Sequence, residues 1–129
     1  MGQRLAARGS TPDILISSPA LRAYSTALII AAQIGYPKEA IQMASKLYFE
    51  GAEGLLDVIR SLPAGVNAAM LFGHNPTMTE SVNALARATI NNMPTCSIAE
   101  IRFDVTSWED VDNGLGVLQW YDYPKQIDD

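Results

Sequence analysis

The sequence contains little cysteine and no long apolar run, and each shortage excludes a class of protein. Cys96 is the single cysteine among 129 residues, so no intrachain disulfide can form and a reducing compartment is favoured. No stretch approaches the roughly 18 consecutive apolar residues of a membrane span. The amino terminus also lacks the apolar centre of a signal peptide. We therefore expect a cytoplasmic protein that has no membrane partner.

Positive charge is also scarce. The chain carries 9 lysines and arginines against 14 acidic residues, which gives a formal net charge of -5. Without a basic stripe, binding to nucleic acid is unfavourable. Histidine, cysteine and carboxylate residues show no clustered spacing of the kind that metal sites require. We therefore expect no nucleic-acid partner, no metal and no other cofactor.

The sequence does contain an alternation between two apolar periods. Its composition, 48% hydrophobic and 18% charged residues, is that of a globular domain. Short continuous apolar runs alternate with segments of helical spacing, and two segments with strand-like alternation follow. The predicted strands are 13–17, 68–72, 97–105 and 116–123, with a weaker strand or loop at 41–48. The predicted helices are the end of one at 1–8, then 20–34, 54–62 and 76–90.

This order of elements predicts an α/β protein. Strands that alternate with helices and end in two antiparallel-type strands favour a three-layer α/β/α sandwich with a mostly parallel, mixed sheet. We expect residues 1–124 to form a single domain and residues 125–129 to form a flexible tail. The chain is predicted to open inside a helix with no strand before it, so we expect that the first strand of this fold is missing.

The only histidine, His74, marks the first candidate site. It follows the apolar strand 68–72 in the segment Gly73-His74-Asn75-Pro76, where Gly73 permits a sharp turn and Asn75 is expected to cap the next helix. The carboxyl end of a parallel strand, beside a helix amino terminus, is a common place for anion binding. A packing or capping histidine is the alternative, and this context makes the two interpretations about equal.

A second candidate follows the first predicted strand. Arg22 lies in the first turn after Ser17-Ser18-Pro19, and its planar guanidinium is suited to phosphate oxygens. Ser18 is expected either to cap this helix or to donate to the same anion. Alone, Arg22 is better explained as a solvated residue paired with an acid. Because parallel strands end at one edge of a sheet, Arg22 and His74 together predict an oxyanion pocket there.

Three stretches in this order resemble the histidine phosphatase superfamily, whose fold is phosphoglycerate-mutase-like, and within it the SixA-type phosphohistidine phosphatases. The matching stretches are Asp13–Ala23 with Thr26, Leu71–Pro76 and Met93–Ala99. Together with the order of elements, the resemblance covers nearly the whole chain. It implies a metal-independent hydrolase that acts on phosphohistidine in a protein, or on a small phosphomonoester, through a phosphohistidine intermediate.

The resemblance also implies roles for individual residues. Arg22 matches the second phosphate-binding arginine, and His74 matches the second active-site histidine, which stabilises the transferring phosphoryl group. We expect Ser18 and Asn75 to contact the same phosphate. Some members of the superfamily use a carboxylate after the third strand as general acid, and Glu50 is the candidate in that region, although it stands in no matching motif.

The sequence departs from the family at its amino terminus. The family's nucleophilic histidine and first arginine come from an Arg-His-Gly motif at the end of a first strand, and this sequence contains neither the strand nor the motif. We therefore expect that the sequence is truncated and that the chain as written is an inactive phosphatase. The alternative is a non-catalytic module that binds phosphate or phosphoproteins.

Overall fold

The structure is a computed structural model that describes residues 12–124. Within that range the strands are β1 (Ile14–Ser17), β2 (Gln42–Met43), β3 (Ala69–Phe72), β4 (Ile98–Phe103) and β5 (Gly116–Asp122). The α-helices are α1 (Leu21–Ile34), α2 (Lys46–Phe49), α3 (Gly51–Arg60) and α4 (Thr77–Ala86), and 3-10 turns lie at Lys38–Ala40 and Trp108–Asp110. The helix end predicted at 1–8 and the tail predicted at 125–129 lie outside the described residues.

The elements predicted within residues 12–124 are present, with local differences in their bounds. Helix α1 ends where predicted because Gly35 adopts the left-handed backbone, with φ 78°, that suits a residue without a side chain. Helix α4 ends before the predicted residue 90, because Arg87 takes a left-handed conformation with φ 52°. The segment 41–48 divides between the short strand β2 and the single-turn helix α2.

The three strands that precede α4 form one parallel sheet in the order β2-β1-β3. Strand β1 is central, with Ile16 opposite both Gln42 of β2 and Leu71 of β3. All four residues of β1 are buried, as expected for a continuous apolar run that is covered on both faces. The parallel α/β arrangement predicted from the sequence is confirmed.

Helices cover both faces of this sheet, which makes the three layers. Ile14 and Ile16 of β1 face one core, which contains buried residues of α2, α3 and α4. Leu15 points to the opposite face, where it packs with Phe72 and the buried residues of α1. The period of two along β1 therefore divides its side chains between the two cores. The buried residues of α1 in the second core are Ala23, Ala27, Ile30 and Ala31.

The two carboxyl-terminal strands form a separate antiparallel sheet, β4-β5, within the described residues. The single mixed sheet expected from the sequence is therefore divided between β3 and β4. The division does not split the cores: Ile98 and Trp120 pack against the cluster around Leu15 and Phe72. Ile101 and Phe103, further along β4, pack against the other cluster.

Asp13 ties the start of β1 to the segment that leads into β3. Its Oδ2 accepts hydrogen bonds from the backbone N–H of Asn67 at 2.7 Å and of Ala68 at 3.0 Å. These two N–H donors favour the ionised carboxylate, so they hold the pKa of Asp13 below its ordinary value. The contact fixes the relative position of the two strands that deliver Arg22 and His74.

We expect Asp13→Asn to lower the free energy of unfolding at pH 7. A depressed pKa in the folded state contributes stability above the unfolded-state pKa of about 3.9, and that contribution is lost as the pH falls through the folded-state pKa. Thermal unfolding at pH 7 should therefore separate wild type from Asp13→Asn, and unfolding at progressively lower pH should bring them together. Asp104→Asn, at an exposed position near the end of β4, is the control, and a gap that widens on acidification would contradict the prediction.

Candidate functional site

The strand register places the two candidate stretches side by side. Ser17 and Phe72 are partners at the carboxyl ends of β1 and β3. The pairing continues one step further, because the N–H of Ser18 donates to the carbonyl of Phe72 at 2.8 Å. Arg22 then lies in the first turn of α1, and His74 lies two residues beyond β3. Both therefore emerge at the same edge of the parallel sheet, where ligands of open α/β sheets bind.

His74 has an imidazole nitrogen that lacks a partner. Its Nε2 is buried and makes no hydrogen bond within the described part of the chain. A buried polar group without a partner costs on the order of 1–3 kcal/mol. Tyr48 of α2 lies against the imidazole in an edge-on arrangement, with ring centroids 5.3 Å apart and an interplanar angle of 67°. The ring is thus held by an aromatic contact, and its buried Nε2 is left without a hydrogen-bond partner among the described residues.

Arg22 is exposed at the start of α1. Among residues 12–124 its side chain forms no ion pair, so the alternative of a structural pair with an acid finds no support there. Ser18 differs, since it is completely buried and its Oγ accepts a hydrogen bond from the N–H of Ala20 at 3.2 Å. Ser18 therefore stabilises the turn before α1 and does not cap the helix, whose N-cap is Ala20. A direct phosphate contact of Ser18 would require its surroundings to open.

Asn75 holds the turn that carries His74. Its Oδ1 accepts from the N–H of Thr79 at 3.1 Å and from the Thr79 hydroxyl at 2.7 Å. Its Nδ2 donates to the carbonyl of Met93 at 2.7 Å and to Oδ1 of Asn92 at 3.3 Å. The N–H of Met93 completes the network by donating to the Thr79 hydroxyl at 3.0 Å. Both amide hydrogens of Asn75 thus have acceptors, and a phosphate contact would have to replace one of them.

The amino terminus of α4 provides fewer free N–H donors for an anion than the sequence suggests. The N–H of Met78 donates to the carbonyl of His74 at 3.2 Å, and the N–H of Thr79 is taken by Asn75. Since these first-turn groups already have partners, an anion beside His74 depends on side chains more than on the helix terminus. The N-cap of α4 is Pro76 and not Asn75 as predicted, but the Asn75 side chain still accepts from the first-turn N–H of Thr79.

Gly73 does not adopt a left-handed backbone. The left-handed glycines of the described chain are elsewhere, at Gly35, Gly51 and Gly114. A Cβ at Gly73 would lie 2.9 Å from Sδ of Met78 and 3.9 Å from the carbonyl oxygen of Leu47. A side chain at Gly73 would therefore have to displace the flexible end of Met78, whereas its distance to Leu47 is an ordinary van der Waals contact.

Glu50 lies in the junction between α2 and α3 and is exposed. Both of its backbone polar groups are hydrogen-bonded there. Its N–H donates to the carbonyl of Lys46, and its own carbonyl accepts from the N–H of Gly54. Glu50 follows Tyr48 by two residues, so it belongs to the same segment as the ring that contacts His74. No hydrogen bond joins its carboxylate to either Arg22 or His74 within the described residues.

Two features of the site were not predicted from the sequence. The contact of Tyr48 with His74 was missed because segment 41–48 carries only a weak strand signal. The network of Asn75, Thr79 and Met93 was missed because it joins a helix start to a distant segment. An asparagine before Pro76 and a threonine four residues on were its only local signal.

The candidate site does not lie in the cavity that is lined by Val66, Asn67 and Trp108. This cavity, of about 430 Å³, lies at the opposite end of the strands. Within residues 12–124, histidine, cysteine and carboxylate side chains form no group of three that could hold a metal ion. No helix in the same range combines the length and the hydrophobicity needed to cross a membrane.

Comparison with known proteins gives structural neighbours only. No protein-family model and no curated sequence matches the chain. One neighbour is a protein from Agrobacterium tumefaciens assigned as the phosphohistidine phosphatase SixA, with TM-score 0.75 and 25% identity; the match covers 95% of this chain and 75% of the other. A protein from Nakamurella multipartitia with the same assignment has TM-score 0.75 and 21% identity, over 95% and 77% of the two chains.

A third neighbour is the protein histidine phosphatase SixA solved in complex with tungstate. Its TM-score is 0.73 at 19% identity, and the match covers 98% of this chain and 78% of the other. All three agree with the elements described above, in which a mostly parallel sheet is covered by helices. The resemblance inferred from the sequence is thereby confirmed: the chain has the fold of the SixA phosphohistidine phosphatases of the histidine phosphatase superfamily.

Proposed function

We propose that this chain holds the phosphoryl group in a phosphatase that hydrolyses phosphohistidine in a protein or a small phosphomonoester. One observation carries the proposal most directly. In a fold shared with SixA phosphatases, the buried Nε2 of His74 has no partner among the described residues and lies at the strand edge from which Arg22 also emerges. A phosphate oxygen at this edge would supply the missing partner of Nε2.

The chemistry follows from the charge that develops at phosphorus. In phosphoryl transfer the equatorial oxygens carry most of the negative charge, and donors fixed around them stabilise the transition state. Arg22 offers a planar fork of N–H donors, and His74 offers a ring nitrogen whose position is set by Tyr48. With the net charge of the chain at -5, these local donors have to provide the attraction for a phosphate.

The resemblance implies a two-step reaction. A nucleophilic nitrogen forms a bond to phosphorus as the bond from phosphorus to the substrate's leaving atom breaks, and the leaving group takes up a proton. Water then attacks phosphorus, loses a proton and releases inorganic phosphate, which regenerates the nucleophile. His74, as the chain's only histidine, is assigned to charge stabilisation in both steps. With His74 in this role, the sequence offers no second histidine to act as the nucleophile.

Ser18, Asn75 and Glu50 take supporting places in this proposal. Ser18 stabilises the turn into α1 and Asn75 fixes the His74 turn, so both position the phosphate-binding side chains. Glu50 is the candidate general acid on the α2–α3 junction. An acid is dispensable for a phosphohistidine substrate, because its imidazole leaves readily once the ring is protonated.

A phosphate- or phosphoprotein-binding module without catalysis is a second candidate function. It is favoured by the single histidine, which leaves no second imidazole to attack phosphorus. This candidate predicts that the chain as written binds phosphate or vanadate and forms no acid-labile phosphoenzyme. The first candidate predicts the same binding and, once a nucleophile is supplied, turnover.

The sole histidine makes a direct test possible. In an untagged chain the imidazole proton signals in an NMR spectrum belong to His74 alone. We expect added phosphate or tungstate to shift these signals in a saturable way. Arg22→Gln should weaken the binding by about tenfold or more, since a hydrogen bond to a charged group contributes roughly 1.5–3 kcal/mol.

Arg102→Gln is the matched control, because Arg102 is an exposed arginine on β4, in the other sheet. It should bind the two oxyanions as wild type does. If the His74 signals did not respond to either oxyanion, or if Arg102→Gln weakened binding as much as Arg22→Gln, the proposed phosphate site would be wrong.

A further inference from the structure

Large apolar side chains are exposed around the proposed phosphate site. We call four of them the apolar rim: Leu21, Met43, Tyr48 and Phe49, with relative exposures of 79%, 50%, 45% and 75%. Single exposed apolar residues are common on protein surfaces and need no explanation. Several that share one edge with a proposed ligand site are different, because such groups mark interaction surfaces.

Topology places the rim at the carboxyl edge of the parallel sheet. Met43 ends β2 and is the register partner of Ser17, the last residue of β1. Leu21 is the first residue of α1, which follows β1, and α2 carries Tyr48 and Phe49 soon after β2. The rim therefore shares its edge with Arg22 and His74, whereas the exposed Leu115 and Val117 belong to the region of the other sheet.

Two members of the rim form a continuous aromatic surface with the histidine. The rings of Tyr48 and Phe49 have centroids 4.6 Å apart at an angle of 50°. Tyr48 in turn meets His74 at 5.3 Å. These separations lie in the range of favourable aromatic pairs. Phe49 is nevertheless three-quarters exposed, so a large part of its ring surface remains free for a third ring.

We propose that Tyr48 and Phe49 determine specificity at this site by binding a flat aromatic group attached to the phosphorus, in preference to an aliphatic or sugar group. The inference rests on the proposed function and adds the residues that bind the leaving group. An aromatic pair contributes about 0.5–1.5 kcal/mol beyond the apolar area that it buries. A ring bound to phosphorus held by His74 would reach this surface, because Tyr48 touches the imidazole.

The polarity of the rim argues against a sugar. A sugar phosphate carries hydroxyl groups that lose hydrogen bonds to water unless the protein replaces them. The four rim side chains offer one polar group, the Tyr48 hydroxyl. An imidazole or phenyl ring needs few such partners and gains from contact with Phe49.

Phosphonates test the proposal on the chain as it exists, because they require no turnover. The titrations are made at a pH at which all of them are dianions, so that their charge is equal. We would titrate methylphosphonate, cyclohexylphosphonate and phenylphosphonate against the His74 imidazole signals. Phenylphosphonate should bind about two- to tenfold more tightly than cyclohexylphosphonate, which has similar apolar area but no π system. Phe49→Leu should bring that ratio close to one while leaving the affinity for methylphosphonate unchanged.

Val117→Ala is the matched control, since Val117 is 61% exposed on β5, and it should preserve the ratio. Tyr48→Phe, which keeps the ring, should preserve it too, and circular dichroism would confirm that each variant is folded. Equal affinity for phenyl- and cyclohexylphosphonate in wild type, or an equal loss for all three ligands in Phe49→Leu, would overturn the inference alone. If neither phosphate nor any phosphonate shifts His74, both the inference and the proposed function fail.

Discussion

Replacing His74 with alanine should weaken the binding of phosphate and tungstate by roughly 10- to 100-fold. The estimate corresponds to the loss of a hydrogen bond to a charged group, about 1.5–3 kcal/mol. Calorimetric titration would measure it, because the imidazole reporter is absent from this variant. His74→Gln, which keeps a donor on a side chain of similar reach, should recover part of the affinity.

The effect on turnover should be larger still. In a chain extended at its amino terminus by an apolar strand that ends in Arg-His-Gly, His74→Ala should lower phosphate release from a phosphohistidine-bearing protein by at least about 10²-fold, the usual effect of removing a transition-state donor. The chain without the extension is the control and should release no phosphate. Undiminished turnover in the extended His74→Ala variant would contradict the assigned role of this residue.

Asn75→Ala should produce the largest loss of stability among the site residues. The substitution leaves the N–H of Thr79 and the carbonyl of Met93 without their partners, and both residues are buried. We expect a loss of about 2–4 kcal/mol, which lowers Tm by roughly 10 °C. Thermal unfolding monitored by circular dichroism would measure the change.

The same variant should also bind oxyanions more weakly, because Asn75 fixes the turn that holds His74. Asn113→Ala is its control, since Asn113 is exposed in the turn before β5. A double-mutant cycle with Thr79→Val would measure the coupling between Asn75 and Thr79, because the effects of substitutions at contacting residues are not additive. An unchanged Tm in Asn75→Ala would show that the network does not stabilise the fold.

The sequence was a good guide where a single physical rule determines the structure. β1 and β3 are continuous apolar runs that lie in a sheet covered on both faces, and such runs are typical of parallel strands. Helix α1 has a regular apolar stripe and ends at a glycine. Elements of this kind are specified locally, so they were predicted to within a few residues.

Short elements were not predictable in the same way. β2 has two residues and α2 has four, lengths at which intrinsic preferences are too weak to form structure alone. β2 exists because Gln42 and Met43 pair with β1, and α2 is anchored by the buried Leu47. Their position depends on contacts that are distant in the sequence.

The candidate site was likewise predictable only in the features that do not depend on contacts between distant segments. The placement of Arg22 and His74 at one sheet edge followed from the topology of parallel strands, because successive strand ends meet there. The aromatic contact of Tyr48 depends on α2, so it could not be read from the sequence. The phosphate contacts predicted for Ser18 and Asn75 stay predictions. The hydrogen bonds observed for these two side chains stabilise the turns in which they lie.

The position of β3 in the sheet has a consequence for the behaviour of the protein in solution. Among the described residues β3 pairs on one side only, with β1, yet its sequence is Ala69-Met70-Leu71-Phe72, without a charge, a proline or a bulge. Natural edge strands usually carry such devices, which prevent another extended chain from adding to the sheet. β3 relies on none of them, so its backbone is a template for self-association whenever nothing else lies beside it.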